Sequence, residues 1–137
     1  MIGINMQESL DKHLCKKYPL LYRDRHASPR VTLMCQGFAI NEGWYHIVDE
    51  LSAKLEAEIK SIKADGVPLD SLPVAVQVKE KFGGLRFYMD NATESMYEAI
   101  GKAEEESFHT CEHCGAEGKL RTDRSWILTY CDNCATR

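Results

Sequence analysis

No apolar run in this 137-residue chain approaches the ~20 residues that a membrane-spanning helix requires. The opening residues, Met1-Ile2-Gly3-Ile4-Asn5, lack the basic stretch followed by a long apolar stretch that marks a secretory signal. There is no internal repeat and no low-complexity tract. Nor is there an excess of basic charge. The net charge is −4 and the isoelectric point about 5.7, which argues against a bulk binder of polyanions. Gly-x-Ser-x-Gly, P-loop and His-Glu-x-x-His patterns are all missing. These absences exclude a membrane protein, a disordered tail, a collagen and a histone-like protein, and they set the expectation of a cytoplasmic chain. What is present is ordinary for one soluble domain with at most a small appendage: 44% hydrophobic and 28% charged residues, at a mean hydropathy of −0.38.

The cysteines are the exception. Six lie at positions 15, 35, 111, 114, 131 and 134, and four of them fall in two Cys-x-x-Cys pairs, Cys111/Cys114 and Cys131/Cys134, separated by 16 residues. That spacing fits a four-thiolate zinc site. Each pair makes a tight turn that directs two sulfurs at one point, and two such turns on a hairpin complete a tetrahedron with Zn–S of about 2.3 Å. Gly115 supplies backbone freedom after the first pair, whereas Cys131-Asp132-Asn133-Cys134 has no following glycine. Strands are expected at 119–122 and 126–130, with Asp123-Arg124-Ser125 turning between them. The reading is a zinc ribbon over 108–137 holding one structural Zn(2+) per chain, since four protein ligands leave no open position for water. His109 and His113 lie close by, but the cysteines already fill the site. Cys15 and Cys35 read as packed thiols, and a second site from Cys15, Cys35, His13 and His26 has no regular spacing.

The rest of the chain reads as an α+β core over 1–107. A short helix is expected at 6–17, with Leu10 and Leu14 on one face. A basic segment follows at 11–30. It holds six lysines or arginines against two aspartates, a formal +4 that leaves −8 for the remainder. Tyr18, Tyr22 and His26 are interleaved, so Lys16, Lys17, Arg23, Arg25 and Arg30 are candidate nucleic-acid contacts, weighed against pairing with the chain's own acidic helices. Residues 31–35 suggest a strand. The longest helix, 44–63, carries a clean stripe of Trp44, Ile47, Val48, Leu51, Leu55, Ile59 and Ile62 that covers a sheet or, alternatively, forms a homodimer seam. His46 and Glu50 on this helix read as a surface pair. Alternation over 74–89 predicts a hairpin turning at Gly83-Gly84, with Lys79, Lys81 and Arg86 on it. A helix at 92–107 follows, capped by Asn91 with Glu94, with Met96, Ile100 and Ala103 inward and an acidic outer face. The expected fold is thus α+β: helices packed on a small antiparallel hairpin sheet, with a C-terminal four-cysteine zinc ribbon.

The run Val78-Lys79-Glu80-Lys81-Phe82-Gly83-Gly84-Leu85-Arg86-Phe87-Tyr88, followed by a helix and then Thr110-Cys111-Glu112-His113-Cys114-Gly115, resembles a group of small proteins from bacterial and phage or prophage genomes. The likeness spans about 44–137. It implies a bacterial or phage setting and a zinc site at Cys111, Cys114, Cys131 and Cys134, and it brings no activity. Small acidic phage proteins often act by binding host machinery, including defence systems.

Three functions compete. The first is a non-catalytic, zinc-stabilised interaction protein that binds and modulates (for example inhibits) a host protein through Trp126, Tyr130 and Arg124. The second is a nucleic-acid-binding zinc protein. Its weakness is that 107–137 hold as many acidic as basic residues and a four-thiolate zinc adds about −2. The third, a His-Asn-His-type nuclease, needs a histidine between the cysteine pairs beside Asp123, where Arg124 stands instead. The expectation is a binding protein, not an enzyme.

Overall fold

The apolar stripe that starts at Trp44 lies at the centre of the structure, a computed structural model that describes residues 6–136. A 3-10 turn, Glu42–Trp44, leads into helix α2, Tyr45–Ala64. Trp44, Ile47, Val48, Leu51, Leu55 and Ile59 recur every three or four residues, share one face, and are all buried. At ~1.5–3 kcal/mol for each fully buried aliphatic side chain, this face is the largest single hydrophobic contribution from any helix. It is spent within the chain, which leaves α2 no apolar seam for a homodimer.

Around α2 the element order is α1 (Glu8–Lys17), β1 (Phe38–Ala39), α2, β2 (Val74–Lys81), β3 (Gly84–Asp90), α3 (Glu94–Ser107), β4 (Lys119–Arg121), β5 (Leu128–Tyr130) and α4 (Asp132–Ala135). The fold is α+β, as expected. The main sheet has the order β1-β2-β3, with β2 and β3 antiparallel and β1 parallel to β2; β4 and β5 form a separate pair beside the four cysteines. No helix among the described residues is long and apolar enough to cross a membrane.

Three local expectations need correction. Residues 31–35 are not a strand. The Thr32 hydroxyl donates to Val76 O (3.2 Å) and accepts from Met34 N–H (3.0 Å), which bends the chain into a 3-10 turn at Met34–Gln36. The strand comes later, at Phe38–Ala39, after Gly37 at φ 79° reverses the direction. The hairpin turns one residue earlier than expected, on Phe82 (φ 52°) and Gly83 (φ 86°), the two positive φ values that a two-residue loop demands. Gly84 serves packing instead: a Cβ there would run into the Phe108 ring. The cap of α3 is Thr93, whose hydroxyl accepts from Met96 N–H (3.2 Å), because Asn91 is held at φ 60° in the turn leaving β3.

A bulge at Val76 sets the two faces of the hairpin. Ala75 pairs with Met89 and Gln77 with Tyr88, so Val76 is the extra residue. Beyond it, Val78, Leu85 and Phe87 are buried in the core, while Lys79 opposite Arg86 and Gln77 opposite Tyr88 share the outer face. The free edge of β3 is sealed by α3. Leu85 N–H donates to Ser107 Oγ (2.9 Å) and Phe87 N–H to Glu104 Oε2 (3.0 Å), so side chains satisfy donors that an open edge would offer to another strand.

Three of the six cations of segment 11–30 are held by partners within the fold. The Arg23 guanidinium donates to the carbonyls of Leu20, Leu69, Leu72 and Pro73 at 2.7–3.1 Å. Arg25 forks onto Asp11 and donates to Cys35 O. Lys17 pairs with Asp49 at 2.7 Å, and the Glu56 carboxylate of α2 accepts from Leu20 and Leu21 N–H. Of the five proposed nucleic-acid contacts, only Lys16 and Arg30 lie exposed without such partners. Replacing Arg23 by alanine strips four carbonyls of a charged donor and should lower stability by about 2–3 kcal/mol, whereas Lys16→Ala should change it by less than about 0.5 kcal/mol. Urea denaturation of both variants checks this, and equal midpoints would contradict the role given to Arg23.

Candidate metal centre

The 110–118 loop is tied into a tight turn by its own backbone. Cys111 N–H donates to Ala116 O (2.7 Å), Gly115 N–H to Cys111 O (2.9 Å) and Gly118 N–H to His109 O (2.9 Å). Gly115 sits at φ 84°, where an L side chain would be strained. This turn presents Cys111 and Cys114. The second pair is presented differently from the first. Cys131 precedes the short helix α4 and Cys134 lies within its single turn, the Cys131 sulfur accepting from Cys134 N–H at 3.4 Å. A helical turn needs no glycine to bring both thiols round, which accounts for the missing glycine after Cys134. The strands β4 and β5 join the two halves, Lys119 facing Tyr130 and Arg121 facing Leu128.

The four Sγ atoms lie within 4.8 Å of one another, and they are the only such group of ligand side chains among the described residues. The Cys114–Cys131 sulfur separation is 3.7 Å. A metal–sulfur bond of about 2.3 Å requires tetrahedral edges of about 3.8 Å, so the spacing fits a four-thiolate ion. The Cys134 backbone N–H, donating to Cys131 Sγ, favours the Cys131 thiolate and brings that thiol down to about 7, while burial pushes the Cys134 thiol up to about 12. His113 is no ligand in this arrangement. It is exposed, its Nδ1 is 3.6 Å from Cys134 Sγ, and its ring meets Tyr130 edge-on. His109 pairs with Glu105 at 3.4 Å on the surface. The Cys15 thiol sits 3.6 Å from Asp11 and the Cys35 thiol 3.4 Å from Thr32 O, with no metal grouping around either. His46 faces Glu106 of α3 at 3.9 Å rather than Glu50.

The centre is docked firmly on the α+β core. Glu112, between two ligands, is buried. Its carboxylate accepts from Asn41 N–H (3.0 Å), its carbonyl accepts from Gly43 N–H (2.7 Å), and its own N–H donates to Thr129 O (2.9 Å). Burial pushes its carboxyl up to about 7 against the opposing pull of the Asn41 amide. Trp44 Nε1 donates to Thr110 O (2.8 Å), and Thr129 Oγ1 donates to Gly83 O in the hairpin turn (2.7 Å). Neither Gly43 nor Glu112 is recognisable as functional from the sequence, since each acts through a partner about 70 positions away.

The three aromatic and cationic residues expected to face a partner separate. Trp126 is 54% exposed. Tyr130 is half-buried against His113. Arg124, partly buried, folds back to donate to Ala135 O at 3.3 Å and so braces α4. A residue missed by sequence reasoning joins Trp126: Phe82, 68% exposed at the hairpin turn. Together with Glu80, Lys81, Ser125 and Ile127 they line an apolar groove of about 380 Å³. Comparison with protein-family models, with curated proteins and with solved structures gives no match for this chain. The chemistry of its own residues therefore carries the functional reading.

Because a Cβ on Gly43 would overlap the Cys111 and Glu112 backbone, Gly43→Ala should force the metal loop off α2. It should cost about 1–3 kcal/mol and speed metal release to a chromophoric chelator. A release rate equal to that of the unaltered chain would show that the seam does not hold the loop.

Proposed function

We propose that this chain is a non-catalytic, zinc-stabilised interaction protein, one that binds a partner protein over the groove between the hairpin turn and the four-cysteine module. In the bacterial or phage setting that the resemblance implies, the partner is a host protein whose activity the chain modulates. The ion is zinc, one per chain. Four soft thiolates in a tetrahedron suit zinc, and with every position filled by protein the ion gives shape rather than a reactive water. Free thiolates of this kind belong in a reducing compartment, in keeping with a cytoplasmic location.

The observation that carries the reading is the pairing of Phe82 and Trp126. Two large aromatics flank one apolar groove, one from each part of the chain, and both are largely in solvent. Phe82 also holds a left-handed backbone conformation that a non-glycine residue adopts at a cost of about 1–2 kcal/mol. Its side chain recovers nothing from the core. Exposed aromatics in a shallow groove are the anchors that dominate protein interfaces.

Elemental analysis of the purified chain should give one zinc, lost when Cys111→Ser is combined with Cys131→Ser; retained zinc would sink the assignment. Affinity capture from the natural host, read by mass spectrometry, should return a protein that binds the purified chain directly. Phe82→Ala with Trp126→Ala should weaken that binding about 30-fold, equivalent to ~2 kcal/mol, with zinc content unchanged. Undiminished binding by the double variant, or multiple turnovers of any substrate, would overturn the reading.

A further inference from the structure

The outer face of the main sheet is open, and it is the opposite in character to the acidic chain that carries it. Lys79 and Lys81 project from β2 on this face. The loop 29–33, pinned by the Thr32 hydroxyl to the carbonyl of the bulged Val76, stands beside them as a wall and brings Arg30 to the same groove. Tyr88 lies on the floor, 41% exposed, and Val31 and Leu33 on the wall are exposed too. The groove measures about 590 Å³. Among the described residues Arg30, Lys79 and Lys81 make no ion pair, in contrast to Lys17, Arg23 and Arg25, which are spent on internal partners. Arg86 shares the face but is engaged by Glu104 at 3.5 Å. Asp90 lines one end of the groove and opposes an anion there.

We propose that this groove is a binding site for single-stranded nucleic acid, with Arg30, Lys79 and Lys81 on the phosphates and Tyr88 stacked against a base. The site shares Lys81 with the aromatic groove of the proposed protein interface but does not depend on that reading. Its geometry follows from the strand. Lys79 and Lys81 are two residues apart on one face, about 7 Å along β2, close to the repeat of one nucleotide in an extended strand. The buried Val78, Leu85 and Phe87 beneath fix the floor, so these cations and the ring are held at set spacing. An aromatic among cations on a sheet face is what an unstacked base requires. A duplex keeps its bases stacked and cannot reach a tyrosine on the floor of a groove. An acidic peptide would use the cations but not the ring.

Fluorescence anisotropy of the full chain with short labelled oligouridine and oligothymidine at low salt tests this. Binding should fall with salt with a log–log slope of about −2, as expected for three phosphate contacts on a single strand. Lys79→Glu with Lys81→Glu should weaken it at least tenfold. Tyr88→Ala should weaken it about tenfold with the slope unchanged. Lys60→Glu, on α2 and outside the groove, should have little effect. Lys60 and Lys81 are exposed, Tyr88 is 41% exposed and Lys79 is partly buried, so zinc content with far-ultraviolet circular dichroism confirms folding of each variant; should the lysine pair misfold, Tyr88→Ala and the salt slope decide alone. Absence of binding to both strands overturns the proposal. So does equal weakening by Lys60→Glu, or affinity for a duplex or for polyglutamate that matches the single strand.

Discussion

One hydrogen-bonded seam determines where the four thiolates stand. It runs from the hairpin turn, where Gly83 O accepts from the Thr129 hydroxyl, through Thr129 O to the amide of Glu112, and from Glu112 O to Gly43 at the entry to α2. Trp44 reinforces it by donating to Thr110 O. The segment beyond α3 is about thirty residues and cannot bury a core of its own. It is therefore held from two sides: its cysteines converge on one point, and the seam fastens the result to the hairpin turn and the entry to α2. The glycine at position 43 is a condition of this arrangement, since the metal loop approaches the backbone where any side chain would stand.

The same seam explains why the hairpin turn is unusually placed. Two consecutive glycines at 83 and 84 would ordinarily supply both turn residues. Here the two are used separately, Gly83 for its φ of 86° and its contact with β5, Gly84 for the space that the Phe108 ring occupies. The turn is displaced by one residue, and the displacement puts Phe82 into the left-handed region. Lys81 covers one side of the ring, its ammonium 5.9 Å from the centroid. The strained aromatic and the metal module are consequences of one packing decision at the base of the hairpin.

The parts of this structure legible from sequence are those whose signal is local. The stripe on α2, the alternation on either side of the hairpin and the paired cysteines each declare themselves within a few residues. What escaped is non-local. Arg23 reads as a surface cation until the carbonyls of residues 69–73 arrive beside it. β1 is two residues long and exists only through parallel pairing with a strand some forty positions on. Glu112 looks like an exposed residue in a metal turn, and only its docking on residues 41–43 reveals a buried carboxylate. The cap at Thr93 rather than Asn91 was lost for a smaller reason: asparagine suits both a cap and a left-handed turn, and the hairpin's exit claims it for the latter.

Charge is distributed by the same logic. Asp49 of α2 pairs with Lys17, Asp11 pairs with Arg25, and Arg23 is spent on backbone carbonyls, so half of the six cations of segment 11–30 are held by partners within the fold. Among the cations left unmatched, Lys79 and Lys81 sit on the outer sheet face, two residues apart on β2. Lys81 stands at the boundary, lining the polar groove on that face as well as the apolar groove beside Trp126. One ammonium cannot serve both at once. A ligand that holds Lys81 over the Phe82 ring withdraws a cation from the sheet groove, and one that draws Lys81 onto the sheet uncovers the ring. Contacts that differ between two arrangements of a shared group are what couple two sites, and the coupling is reciprocal. The hairpin tip thus carries one side chain, Lys81, that borders both surfaces.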